Sequence, residues 1–113
     1  MRRLLISAAI AAIMLPRVAA AAPASAEARA VAQKRAYTLS LMCWVVASHY
    51  QNEADILRTA DAMRKMGAAM GYDNARTAKD VTTMASVLGV ELRNDPGSMA
   101  RHRASCRQIG LVS

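Results

Sequence analysis

The chain has 113 residues, of which 54% are hydrophobic and 20% charged, with 15 Lys and Arg against 8 Asp and Glu. That length accommodates one small domain and excludes a doubly wound nucleotide-binding fold or a barrel enzyme, while the apolar content excludes a disordered chain. The formal charge of +7 would favour a nucleic-acid partner only if it belonged to the folded domain.

It does not all belong there. Met1, Arg2 and Arg3 give a positive start, and residues 4–15 (LLISAAIAAIML) form an uncharged apolar run that ends at Pro16 and Arg17. A membrane-spanning helix needs about 20 apolar residues, so the run matches the hydrophobic region of a secretory signal. The small residues of Ala24-Ser25-Ala26 suit a signal peptidase, which places cleavage between Ala26 and Glu27. Residues 1–26 are therefore expected to be a cleavable signal peptide and residues 27–113 the working domain, periplasmic or secreted. Loss of Arg2, Arg3 and Arg17, with all 8 acids retained, reduces the charge to +4. No nucleic-acid partner is expected for such an exported domain.

The two cysteines, Cys43 and Cys106, would then enter an oxidising compartment, where a disulfide is the default. Loop-closure entropy assigns a bridge of this span a stabilisation on the order of 4 kcal/mol.

The domain reads as all-helical, because Ala, Met, Leu, Arg and Lys dominate and no segment alternates with period two. Helix 1 is expected from Glu27 to Tyr50. Asn52 caps helix 2, with Glu53 and Asp55 in the first turn, and Gly71 stops it. Helix 3 starts at Asp73 or Asn74, or at a Thr77/Asp80 capping box, and ends at Gly89. A short link over residues 90–93 leads to Asp95 and Pro96 as cap and first residue of helix 4, which Gly110 closes. Short connections favour an antiparallel up-down-up-down four-helix bundle, with the disulfide joining helices 1 and 4 at similar heights.

Helical periodicity gives each element an apolar row: Ala36, Leu39, Cys43, Val46 and Tyr50; Ile56, Ala60, Met63, Gly67 and Met70; Val81, Met84, Ala85 and Leu88; and Met99, Cys106 and Ile109. Helix 1 carries a second apolar face through Tyr37, Leu41 and Trp44. Part of it can be covered by neighbouring helices. Left exposed, it would be a partner or self-association face, because Trp and Tyr are frequent binding anchors.

Other chemistry is sparse. Met63, Met66 and Met70 share one side of helix 2, where thioethers could hold Cu(I) or fill a core that contains no Phe. His102, Cys106 and Met99 share a side of helix 4, but His49 lies about 240° round helix 1 from Cys43, so the four-ligand site fails. No Cys-x-x-Cys, no haem-attachment motif and no nucleophile-base pair occurs, and no cofactor or enzymatic activity is expected. Asp55, Asp61, Asp73 and Asp80 read as caps and solvated faces. Arg101, Arg103 and Arg107 make helix 4 basic, with a weak contact to an anionic envelope surface as one use. The expectation is an exported, non-enzymatic helical binding protein. A Cu(I) binder and a periplasmic stress chaperone are the alternatives.

Overall fold

The computed structural model describes residues 25–113. The apolar run at 4–15 and the other leader features up to Ala24 lie outside the described residues. Among the described residues there are four helices and no strand: α1 Ala26–His49, α2 Glu53–Ala69, α3 Asn74–Asn94 and α4 Ser98–Gln108. None is long and apolar enough to cross a membrane. Of the segment that ends at Ala30, the structure describes residues 25–30, where the Ser25 hydroxyl accepts from the Ala28 N–H at 3.1 Å. Ser25 thus supplies an N-cap. The expected cleavage pair, Ala26 and Glu27, forms the first turn of α1.

Residues 31–113 form the bundle. Its core has two clusters. One contains Cys43, Val45, Val46, Ala47, Leu88, Met99, Cys106 and Val112, with Ile56 and Leu92 against it. The other contains Tyr37, Leu41 and Met63, with Met66, Met70, Tyr72 and Val81 against it. The middle of α1, around Tyr37 and Leu41, therefore meets late α2 and the first half of α3, while late α1 meets early α2 and late α3. Trp44, Val81 and Met84 touch both clusters. Ser40 and Thr59 are fully buried among these residues, and each satisfies its hydroxyl on its own helix, Ser40 to the Tyr37 carbonyl at 2.6 Å and Thr59 to the Asp55 carbonyl at 2.7 Å. A helix can bury such residues because no orphan polar atom results. The Cys43 and Cys106 sulfurs stand at disulfide-bonding distance, with Cα atoms 5.7 Å apart, and both residues are fully buried.

Several boundaries differ from the expectation. Asn52 caps α2 and Asp73 caps α3, each through its side chain, so no Thr77/Asp80 capping box starts α3. Gly89 does not stop α3, which runs on to Asn94. Leu88 and Leu92, four residues apart, both pack on the core, and that apolar spacing carries the helix through the glycine and through residues 90–93. Gly97, not Asp95, precedes α4, which starts at Ser98. The Asp95 carboxylate instead accepts from the Gly97 N–H and from Arg101. Gly71 and Gly110 follow α2 and α4 at φ +79° and +77°, the left-handed conformation that glycine adopts without strain.

The apolar rows also need correction. Tyr50 is exposed and Ile109 is 50% exposed, whereas Tyr37 and Leu41 are each 4% exposed. The most protected side of α1 thus includes its second face, because α1 is flanked by all three other helices. Asp55 is not solvated. It is 3% exposed, and its carboxylate accepts from the Ser113 N–H and hydroxyl, both at 3.1 Å, with the Arg58 guanidinium at 3.3 Å. Burial of a carboxylate requires such partners. They fasten residues 111–113 to α2 and bring Val112 into the core.

Candidate functional site

Between α1 and α3 lies a groove of about 290 Å3, lined by Lys34, Tyr37, Thr38 and Leu41 on one side and Arg76, Asp80, Thr83, Met84 and Val87 on the other, with Tyr72 at its edge. Tyr37 and Leu41 form its floor. Gly67 allows α2 to approach that floor closely. A Cβ on Gly67 would come within 3.0 Å of the Thr77 hydroxyl and 3.1 Å of the Tyr37 ring, so α2 presses Tyr37 against α3 from beneath.

A polar cluster spans the groove. The Tyr37 hydroxyl donates to Asp80 at 2.7 Å. Arg76 donates through Nε to both Asp80 oxygens, at 3.2 and 3.0 Å. Its guanidinium lies 4.2 Å above the centre of the Tyr72 ring, and Tyr72 meets Tyr37 edge-on with centroids 5.3 Å apart. Two tyrosines and one carboxylate therefore hold one cation in a fixed place, by charge-assisted hydrogen bonding and by attraction to an aromatic face. Burial and then the bond to Asp80 push the Tyr37 hydroxyl above its ordinary pKa, with Thr77 and Arg76 opposing. Asp80 raises the Arg76 value further, so this guanidinium stays charged.

The three residues expected to form a partner face, Tyr37, Leu41 and Trp44, differ in exposure. Tyr37 and Leu41 are buried and reach the surface only as the floor of the groove, while Trp44 is half-buried and packs on both core clusters. Met63 is buried, and Met66 and Met70 pack beside it against Tyr37 and Leu41. Their row is the core side of α2.

The arginines of α4 are internally engaged. Arg101 pairs with Asp95, Arg103 lies 4.1 Å above the Tyr50 ring, and the Arg107 Nε donates to the Ser113 carbonyl at 2.9 Å. His102 Nε2 lies 2.8 Å from Glu91 Oε1. His102 thus joins α4 to α3 and does not stand beside Cys106 as a ligand. The hydrogen bond from Arg101 is the main reason the Asp95 carboxyl lies below its ordinary pKa. Among the described residues no cluster of three or more His, Cys, Asp or Glu could hold a metal ion.

Sequence reasoning missed Arg76, Asp80 and Tyr72. An Arg and an Asp at i and i+4 are ordinary helix-surface neighbours, and only the arrival of Tyr37 from α1 distinguishes them. No protein-family model matches the chain, and no curated protein or solved structure matches it either.

Proposed function

We propose that this is an exported, non-enzymatic binding protein, and that its binding site is the α1/α3 groove. In this reading residues 1–26 are a signal peptide cut between Ala26 and Glu27, and the mature domain is an up-down-up-down bundle in the periplasm or outside the cell. The paired cysteines support an oxidising compartment, since such bonds persist there and are rare in the cytosol. The observation that carries the binding role is the Arg76 guanidinium, positioned by Asp80 and Tyr72 at the edge of an apolar groove. Concave, mostly apolar sites with a few placed polar groups are the usual form of a ligand site.

Two measurements test this. Intact-mass analysis of cell fractions is expected to find a chain that starts at Glu27 and is two hydrogens lighter than its reduced form, outside the cytoplasm. A full-length reduced chain in the cytosol would overturn export. A photo-crosslinking residue placed at Thr38 or Thr83, on opposite walls of the groove, is expected to form a discrete adduct in cells that the same residue at Ser105 does not form. Equal labelling from all three positions would remove the groove from the proposal.

A further inference from the structure

The two walls of the groove are in register. Tyr37 bonds to Asp80, and one turn later Leu41 belongs to the cluster that Met84 packs against. Going back one turn from the Tyr37–Asp80 pair reaches Lys34 on α1 and Arg76 on α3; going forward from Met84 reaches Val87, which is 56% exposed. The groove is thus polar in the literal sense, with two cations at one end and Leu41, Met84 and Val87 toward the other. Residues 76–87 span about 16 Å at ~1.5 Å per helical residue.

The cationic end has capacity to spare. Arg76 uses only Nε on Asp80, and among the described residues its two Nη groups make no hydrogen bond to the protein. Lys34 forms no ion pair among the described residues. The one carboxylate present, Asp80, is already paired with Arg76 and bonded by Tyr37, so Lys34, Arg76 and Asp80 together leave one net positive charge at this end of the groove. A planar guanidinium held by its Nε side offers its Nη edge to a carboxylate or phosphate with little further loss of freedom.

We propose that this groove binds a single-chain anionic amphiphile, a medium-chain fatty-acid carboxylate being the type, with its head between Arg76 and Lys34 and its tail along Leu41 and Met84 toward Val87. Resting on the reading of this groove as the binding site, it names the class of ligand. The volume of about 290 Å3 lies at the lower limit of ligand pockets, roughly 300–1,000 Å3. That suits one acyl chain and not a two-chain phospholipid. The order of charge along the groove distinguishes the ligand from a neutral hydrocarbon, which would leave the cationic end without a partner.

The single tryptophan of the chain, Trp44, packs against the buried cluster that contains Tyr37 and Leu41, the floor of the groove, and serves as the reporter. The mature, oxidised protein is titrated with laurate, dodecanol and dodecyltrimethylammonium, each below the concentration at which it forms micelles. Laurate is expected to give a saturable change in Trp44 emission, with about tenfold weaker binding of the neutral and cationic probes. Lys34→Gln, an exposed substitution that leaves the core alone, and Arg76→Gln are each expected to weaken laurate severalfold while leaving dodecanol unchanged. Equal affinity for the three probes overturns the proposal, as does laurate binding that neither substitution alters, or a response to phosphatidylglycerol vesicles with none to laurate. Should laurate fail while Thr38 and Thr83 still cross-link to a discrete protein, the amphiphile is wrong and the groove stands. Failure of both removes the groove itself.

Discussion

The hydroxyl of Tyr37 on α1 donates a 2.7 Å hydrogen bond to Asp80 on α3, 43 residues away in the chain. It is a side-chain hydrogen bond that joins these two helices across the groove, and its acceptor is charged. Tyr37→Phe keeps the ring packing on Tyr72 and removes only that bond. The variant is expected to lose about 1–2 kcal/mol, read as a lower urea midpoint with an unchanged slope.

The same residue gives a prediction at alkaline pH. Burial and the Asp80 bond raise its pKa above the ordinary tyrosine value, so folding favours the protonated phenol. The resulting stability is present in full below the unfolded-state value, near pH 10, and is lost as pH rises through the higher folded-state value. Ultraviolet titration of the three tyrosines should show one that ionises late. That phase should vanish in Tyr37→Phe and in the urea-unfolded protein.

Asp95 shifts the opposite way. Its bond from Arg101 lowers the carboxyl pKa, so any contribution is present above the unfolded-state value and is lost as pH falls through the lower folded-state value. Arg101→Gln should bring Asp95 back toward the ordinary aspartate range in a carboxyl-carbon NMR titration. Unfolding free energy near neutral pH should barely change, because both partners are exposed.

Two glycines should respond in opposite directions to the same change. Gly67→Ala forces a methyl to within about 3.1 Å of Tyr37 and the Thr77 hydroxyl, and overpacking of this kind costs about 1–3 kcal/mol. Gly89 is mid-helix in α3 and a Cβ there meets nothing within 4 Å. Gly89→Ala is therefore expected to stabilise by about 0.5–1 kcal/mol. Thermal and urea unfolding of the two variants measure the contrast, and equal effects would contradict the packing described.

Much of the secondary structure is legible in the sequence. Asn52 followed by Glu53 and Asp55 marks a helix start by a purely local mechanism, and Gly71 marks a stop because only its own φ matters. The cysteine pair was legible because two cysteines permit one pairing. What failed was non-local. Whether Gly89 ends a helix depends on Leu92 reaching a core contributed by other elements. Whether Tyr37 or Leu39 faces inward depends on how many neighbours α1 has, and a helix apolar on two sides does not encode that number. Asp55 looked like a dipole residue of α2 until Ser113, 58 residues later, supplied its remaining partners. The groove was hidden for the same reason, since its two walls are separated by the whole of α2.

Reduction tests the tie between α1 and α4. The double variant Cys43→Ala, Cys106→Ala should lose up to about 4 kcal/mol, the chain-entropy value for a loop of this length, measured against the oxidised protein in urea. Both residues are fully buried, so reductant should reach the native protein far more slowly than the unfolded one. Reduction at equal rates would show that the pair is accessible.

The covalent link also determines what a nicking protease could achieve. All of α2 and α3, and the turns that precede, join and follow them, lie in the ring that Cys43 and Cys106 close. A single backbone cut within the ring, at Gln51, at Gly71 or at Pro96, would add one water to the mass and release nothing. The two pieces would remain one molecule, held by core contacts and one covalent link, until a thiol separated them. In an environment that contains proteases and lacks reductant, the first cut would therefore not shed a fragment.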